Sequence, residues 1–533
     1  MAGETHMSTT AAGTAIATAR STGRGGPWAT LVAVALGVIM VALDGTIVAI
    51  ANPAIGKSLH ASLSDLQWIT NGYLLALAVF LVTAGKLGDR FGHKSMFLVG
   101  VVGFAASSGI IGLSGSIGLI IAFRVLQGVF GALLQPAALG LLREAFPRER
   151  LNIAIGIWGA AIGLSTAAGP IVGGLLVEHV NWQWVFFVNL PVGALALILG
   201  LLVLGRNHRV DRGSRADIPG IALLSVAMFA LVFGVIKASD FGWGNWRTIG
   251  LFAGAAVFAV LFILRERSAA DPLLPLGLFR SRSLSIGTVL MVLMAFAMFG
   301  SLFFVTFYLQ LVHGLSPVQS GVRLLPMTAG MVVGSPIAGA LIGRIGPRGP
   351  IATGMAAVAI AMFGLSRLPI DASAGLTSLW FVILGLGLSV VMVGATEVIV
   401  GNAPVQLSGV ASGVQQAAMQ VGGALGTAVL GAVMTARVGS VLNGHWTDQH
   451  LPALTPAQVD AAKSAVAGGV APVPPGTKEE IAALITKASN LSFLDGMHLA
   501  FTVAAVVAVV AVGLSLMIRR SRNESSAPAV PHA

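Results

Sequence analysis

Fourteen apolar stretches follow one another along the chain, at 28–51, 66–85, 95–113, 116–142, 152–177, 184–204, 218–237, 247–264, 283–311, 320–343, 349–367, 375–401, 409–437 and 497–518. Each is close to or beyond the length of about 20 apolar residues that an α-helix needs to cross a hydrocarbon layer. The pattern predicts an all-α membrane protein with fourteen transmembrane helices, and an even number puts both termini on one side. Most connections between the stretches are short and polar. One is long: 438–496 is expected as an outer loop, with short surface helices near 455–466 and 476–490 on either side of Ala471-Pro472-Val473-Pro474-Pro475-Gly476. It reads as a solvated cap or spacer.

Composition agrees with this reading. The 533 residues are 56% hydrophobic and 10% charged, against about 25% charged in soluble domains. The 68 glycines suit close helix packing in lipid. The absence of cysteine excludes disulfides, thiolate metal sites and cysteine nucleophiles. A net charge of +11 would suit a nucleic-acid surface if it were gathered in one place. It is instead divided by topology. Of the Lys and Arg residues, 21 fall on the face that carries the termini and 8 on the opposite face, with Arg124 and Arg323 inside apolar stretches. This bias predicts that the first face is cytoplasmic. It also predicts a multi-pass protein of the inner (cytoplasmic) cell membrane, with the bilayer and not nucleic acid as its surroundings. Residues 1–27 and 519–533 read as cytoplasmic tails, the first disordered. The apolar run after residue 27 is too long for a signal peptide.

The chain repeats itself once. Gly85-Lys86-Leu87-Gly88-Asp89-Arg90-Phe91-Gly92-His93-Lys94 follows the second stretch, and Gly339-Ala340-Leu341-Ile342-Gly343-Arg344-Ile345-Gly346-Pro347-Arg348 follows the tenth, 254 positions later. Aligned halves then comprise 28–204 and 283–518, with two inserted helices in a linker at 205–282. Parallel repeats of this kind are one plan for transporters, with a substrate cavity between the halves near the midplane.

Residues 85–94 resemble the loop signature of the major facilitator superfamily, and further segments narrow the resemblance to its fourteen-helix drug:proton antiporters. Leu43-Asp44-Gly45-Thr46-Ile47-Val48 with Pro53 is similar to that group's first-helix signature, and Trp68 to Tyr73 to its second-helix pattern. Arg124, Gln127, Gly128, Gly131 and Ala132 resemble the fourth-helix motif, and Gly169-Pro170 with Gly173-Gly174 the fifth-helix antiporter motif. Trp182-Gln183-Trp184, Phe186, Asn189-Leu190-Pro191 and Gly193 resemble the sixth-helix hallmark. Tyr308-Leu309-Gln310 with Gly314, Ser316, Pro317, Gly321 and Pro326 is similar to the start of the second half. Ala49, Asn52, Ser165 and Gln183 depart from these patterns. The resemblance implies a major facilitator fold of two six-helix bundles plus two inserted helices, acting as a monomer. It implies proton-coupled efflux of lipophilic, cationic small molecules by alternating access, with protons as the coupling ion and no other cofactor. It also implies that Gly85, Asp89, Arg90, Gly92 and Lys94 form a cytoplasmic latch. Asp89 would face the start of the thirteenth helix near Ser408 and Gly409, with Arg143 as a further partner. Gly163, Gly169, Pro170, Gly173 and Gly174 would make a pliable fifth helix. Export of a native metabolite or self-made antibiotic, and a non-transporting sensor or scaffold, remain as alternatives.

Ionisable groups within membrane helices are costly and mark function by default. Asp44, Arg124 and Glu397 are such groups. Burial of Asp44 among Ala, Val, Leu and Met would raise its pKa toward physiological pH and suit proton uptake and release; the plainer reading is a packing hydrogen bond to Thr46 or Asn52. Arg124 keeps its proton and shares a helix face with Gln127, Gly128, Gly131 and Gln135, a face expected to point into the cavity and tune Asp44. A purely structural cation on backbone carbonyls is the other reading. Glu397 serves as a second acid, giving the cavity a negative bias, or snorkels to the inner surface. Gln127, Gln135, Trp158, Tyr308, Gln310, Gln415 and Gln416 are candidates for the substrate cavity, with simple packing as the alternative for the aromatics. No phosphate-binding loop, metal-ligand cluster or catalytic set is present, so the chain is not expected to be an enzyme.

Overall fold

The computed structural model describes residues 26–61, 63–205, 217–269, 271–401, 403–404, 407–467 and 471–518. The expected tails at 1–27 and 519–533 lie outside these residues, apart from 26 and 27. Fourteen helical spans among the described residues are long and apolar enough to cross a membrane. The first half contains α1 (Gly26–Leu59), α2 (Leu63–Phe91), α3 (His93–Gly112), α4 (Ile117–Ala145), α5 (Arg148–His179), a single turn α6 (Trp184–Phe187) and α7 (Asn189–Val203). The inserted pair is α8 (Ile218–Phe241) and α9 (Trp246–Ser268). The second half contains α10 (Arg282–Phe307), α11 (Pro317–Ile345), α12 (Arg348–Leu365), α13 (Ala374–Thr396), α14 (Ser408–Asp448), a surface helix α15 (Pro456–Ala467) and α16 (Glu479–Ser515).

The two halves pack alike. In the first, α1 lies on α5 and α7, α4 on α2 and α3, and α3 on α7. In the second, α10 lies on α14 and α16, α13 on α11 and α12, and α12 on α16. Two seams join the halves, α2 against α14 and α5 against α11, and α8 packs on both α2 and α14. The gene-wide repeat therefore corresponds to a structural one, with the inserted pair beside one of the two seams.

Glycine explains how close the seams are. A Cβ on Gly85 would collide with the carbonyl of Gly409 across the α2–α14 seam. In the second copy, a Cβ on Gly339 would lie 2.5 Å from the carbonyl of Asn152 across the α5–α11 seam. The first glycine of each loop copy is thus the point where one half meets the other. The last serves the turn: Gly92 and Gly346 have φ of 92° and 80°, a region that side chains with a Cβ rarely enter. The seams close at the end of the molecule that carries Lys86, Arg143, Arg150, Arg265, Arg282 and Arg344, called here the basic face.

The long connection differs from expectation. The thirteenth span does not stop at 437 but continues to Asp448, and the last span begins at Glu479 rather than 497. The expected loop 438–496 shrinks to 449–478. One expected surface helix is α15, and the other, at 476–490, is the start of α16. Hydropathy falls there because one helix side faces water, yet an apolar stripe persists. Val438, Leu442 and Trp446 on α14 are buried, as are Ile485, Ala488 and Phe493 on α16, and the two helices pack together.

Close backbone approach makes a direct prediction. A Cβ on Gly156 would lie 2.5 Å from the carbonyl of Ser335, whereas one on Gly343 would meet open space. Gly156→Ala should destabilise the protein by about 1–3 kcal/mol and lower its thermal midpoint in detergent, and Gly343→Ala should leave the midpoint unchanged. Equal midpoints for the two variants would contradict the packing described here.

Candidate functional site

Asp44 sits 18 residues into α1, roughly 27 Å from its start at the basic face. Arg124 lies near the opposite-face end of α4. They meet in the half of the bilayer far from the basic face. Arg124 Nη1 stands 2.5 Å from Asp44 Oδ2, and the two side chains are 1% and 0% exposed. Gln127 Nε2 and Asn189 Nδ2 donate to Asp44 Oδ1 at 3.1 and 3.0 Å. The same two amides donate to Ser108 Oγ at 2.8 Å each. Arg124 Nη1 also donates to Gln127 Oε1 at 2.7 Å, and its Nε to the Ile69 carbonyl at 3.0 Å. The Tyr73 ring lies 4.2 Å from the guanidinium carbon, a cation–π contact.

Every one of these partners belongs to the first half: α1, α2, α3, α4 and α7. That changes three expectations. Arg124 and Gln127 do not face a cavity between the halves; they point into the interior of one bundle. Asp44 is not held by Thr46 or Asn52, since Thr46 Oγ1 donates to the Leu43 carbonyl and Asn52 Nδ2 to Thr70 Oγ1. The expected negative bias of the cavity is also corrected, because Asp44 is matched by a cation in direct contact. The arrangement has a clear chemical property. Arg124, Gln127 and Asn189 all present N–H groups to the carboxylate. These donors fill three of the carboxylate's roughly four acceptor positions, and a proton on Asp44 would cancel the charge that strengthens each of these bonds.

The second site is the latch at the basic face. Asp89 accepts from the backbone N–H of Gly409 at 2.8 Å and of Val410 at 2.9 Å, at the start of α14. The positive end of the helix dipole favours an anion there. His93 Nε2 lies 3.3 Å from Ser408 Oγ and 3.4 Å from Asp89 Oδ1. Arg143 donates to the carbonyl of Ala403. Lys94 Nζ donates to the Leu204 carbonyl at 2.7 Å, tying α3 to the end of α7. Arg90 lies 5.1 Å from the Phe91 ring centroid. In the other copy of the loop, Gly343 occupies the place of Asp89, so no carboxylate is offered to α5 from that position.

The sequence profile of the Major Facilitator Superfamily matches residues 34–427. The chain belongs to the major facilitator superfamily. The tetracenomycin C resistance and export protein of Streptomyces glaucescens is 58% identical over 95% of this chain and 94% of its own. The multidrug efflux pump LfrA of Mycolicibacterium smegmatis is 34% identical over 92% and 94% of the two chains. Among solved structures, the proton:xylose symporter XylE superposes with a TM-score of 0.60 at 12% identity, covering 93% of this chain and 96% of that one. The human organic anion transporter MFSD10 gives the same TM-score at 14% identity, over 92% and 99%. The chain is therefore a transporter rather than an enzyme, with the facilitator fold.

The remaining candidates in this facilitator fall into separate groups. Gly169 and Gly173 seat α5 on α1: a Cβ on Gly169 would collide with Thr46 Oγ1, and one on Gly173 would lie 2.9 Å from Ile47. Gly163 faces Met331 of α11, where a Cβ would make ordinary contact at 3.7 Å. Gly174 is half-buried and Pro170 falls within α5, its side chain outside the described residues. Thus α5 rests on its own half at one end and on the other half at its basic end. Tyr308 is buried, its hydroxyl donating to the Pro369 carbonyl at 3.0 Å, which is a packing role. Gln310 is half-buried on the π-helical turn Tyr308–Val312. Glu397 is half-buried and opens a second π-helical turn, Glu397–Gly401, near the basic face; the structure does not bring it to Asp44. Gln135 is half-buried. Gln415 Nε2 donates to Thr396 Oγ1 at 3.3 Å.

Sequence reasoning did not single out Ser108 or Asn189 as site residues. Asn189 carried a signal, being part of the sixth-helix pattern. Ser108 is a lone hydroxyl in an apolar stretch and carried none. Two departures from the family patterns also find a place. Ser165 Oγ donates to the Ile39 carbonyl at 2.9 Å, and Asn52 ties α1 to α2.

A buried charge without its partner costs about 3–5 kcal/mol. Arg124→Leu should therefore sharply lower the yield of monodisperse protein on gel filtration. Adding Asp44→Asn to Arg124→Leu should restore the yield. If the double variant folded no better than the single one, the pair would not be the electrostatic unit described.

Proposed function

We propose that this facilitator is a proton-coupled exporter of lipophilic small molecules, antibiotics among them, and that its basic face and both termini are cytoplasmic. The observation that carries the coupling is the Asp44–Arg124 ion pair, set in the half of the bilayer distant from the basic face. With the basic face inside, the acid sits toward the side from which protons enter the cell. A proton on Asp44 removes the counter-charge of Arg124 and weakens the N–H bonds that the carboxylate accepts. The guanidinium keeps the Ile69 carbonyl, Gln127 and the Tyr73 ring, while α1 loosens from α4. Because α1 packs on α5, and α5 on α11 across a seam, this change has a path to the halves as a whole.

Cargo would bind elsewhere, at the seam helices. Trp158 Nε1 on α5, Thr83 Oγ1 on α2, and Gln415 Oε1 and Gln416 Oε1 on α14 are buried atoms lacking a hydrogen-bond partner. All four lie roughly 10–18 Å from the basic ends of their helices by helical rise. Buried polar groups of this kind favour a ligand that completes them. Two amide oxygens take donors, and an indole N–H takes an acceptor. This set suits an apolar cargo bearing both hydroxyl and carbonyl groups better than one selected by charge alone. The relative at 58% identity, named for resistance to and export of one compound, favours a dedicated antibiotic as physiological cargo over a broad drug set.

Inverted membrane vesicles with an acidic lumen test this reading. Wild-type protein should accumulate tetracenomycin C or members of a lipophilic drug panel on imposing the gradient, and Asp44→Asn should reduce this by about tenfold or more, as expected for loss of a charge-assisted bond of roughly 1.5–3 kcal/mol. A gradient that moved no compound, with Asp44→Asn no different from wild type, would favour a sensor or scaffold instead.

A further inference from the structure

The inserted pair has no counterpart in the repeat, and its position shows more than extra membrane anchoring. α8 is attached to α2 by an apolar cluster of Leu75, Ala78, Val79 and Val232 and by stacking of Trp68 on Phe233, with ring centroids 6.0 Å apart. It also packs on α14, on the other side of the seam that Asp89 closes. At the basic face, Arg265 of α9 holds Asp217, which caps α8, through Nε and Nη2 at 3.1 and 3.0 Å. These contacts make α8 and α9 one unit fixed to α2.

The segment leaving α9 crosses to the second half, and it is gripped twice on the way. Glu266, 5% exposed, spends one carboxylate oxygen on the backbone N–H of Leu273 at 3.2 Å and the other on that of Leu274 at 3.0 Å. Lys86, next to the seam glycine Gly85, donates its Nζ to the Pro272 carbonyl at 3.0 Å. Leu273, Leu274 and Leu278 are buried, and a 3₁₀ turn, Leu276–Arg280, leads straight into α10. A small cavity separates this segment, at Pro275, Leu278 and Ser281, from Pro404 and Leu407 ahead of α14. The chain entering the second half is therefore tied to α2 and to the inserted pair at the level of the latch.

We propose that Lys86 and Glu266 are positioning residues that tie the segment entering α10 to α2 and the inserted pair, holding the basic face closed until the tie is released in each transport cycle. Opening the basic face draws α2 away from α14. α8 follows α2 because their contact is apolar and extends along α2. The segment at 271–275 follows α10. The separation then falls on two sets of bonds: the carboxylate of Glu266 on two backbone amides, and the ammonium of Lys86 on one carbonyl. Both are polar, near the membrane surface, and replaceable by water, so they can break and re-form at small cost. The inserted helices thus supply a second, backbone-directed closure beside the Asp89 latch. This inference goes beyond the export reading and holds for either direction of transport.

The natural chain has no cysteine, so spin labels at Arg150→Cys and Arg348→Cys report the separation of the two halves at the basic face by pulsed electron resonance in proteoliposomes. Lys86→Met and Glu266→Gln should each raise the long-distance population by about fivefold, as expected for loss of one net hydrogen bond. Lys86→Arg should keep the wild-type distribution. The double variant should raise that population beyond either single one, because the two sets of bonds hold the same segment independently. An unchanged distribution in Lys86→Met, whose side chain is only partly buried, would overturn the proposal. So would a lowered thermal midpoint in Glu266→Gln without any shift in distance, which would assign Glu266 to holding the fold alone.

Discussion

A carboxylate and a guanidinium shut away from water, 2.5 Å apart, impose most of what is distinctive in this molecule. Either one left charged there without the other would cost several kcal/mol. Their mutual attraction is supplemented by Gln127, Asn189, Ser108, the Ile69 carbonyl and the Tyr73 ring, drawn from four helices. Arranging these groups fixes how α1, α2, α3, α4 and α7 sit together in the first bundle. The second half has no buried ion pair of this kind among the described residues. The halves are alike in packing and unlike in chemistry.

Those seams are made by the absence of side chains. Gly85 against Gly409, Gly156 against Ser335 and Gly339 against Asn152 bring backbone onto backbone, which gains dispersion contact in lipid where no hydrophobic force draws helices together. Such contacts also separate without unpairing charges. Charge is added at the α2–α14 seam, where Asp89 caps the start of α14, and Gly343 leaves the matching place in the other copy empty of a carboxylate. Closure is thus strong at α2–α14, where the inserted pair also lies.

Much of this was legible in the sequence for physical reasons. Fourteen spans were readable because a bilayer demands apolar length, and the bundle plan because two loop copies sit 254 positions apart. The approach of Asp89 to Ser408 and Gly409 followed from the family's loop signature. What hydropathy could not show was the extension of α14 and α16 beyond the membrane, since an apolar stripe such as Val438, Leu442 and Trp446 is diluted by the wet side of the same helix. Direction was also hidden. The i, i+3, i+7 spacing of Arg124, Gln127 and Gly131 correctly gathers them on one face, but spacing does not say which neighbour that face meets. Ser108 and Glu266 carried no signal, because their partners are distant amides and backbone N–H groups that only the fold assembles.

The central claim is that Asp44 exchanges a proton at the cost of its ion pair with Arg124, and that cargo at the seams biases this exchange. Infrared difference spectroscopy of the reconstituted protein observes it directly, through the carbonyl stretch of a protonated carboxyl group. The account predicts a band that grows as pH is lowered, is absent in Asp44→Asn, and shrinks when a transported compound is added. A band identical in Asp44→Asn, or one indifferent to cargo at every pH, would contradict it.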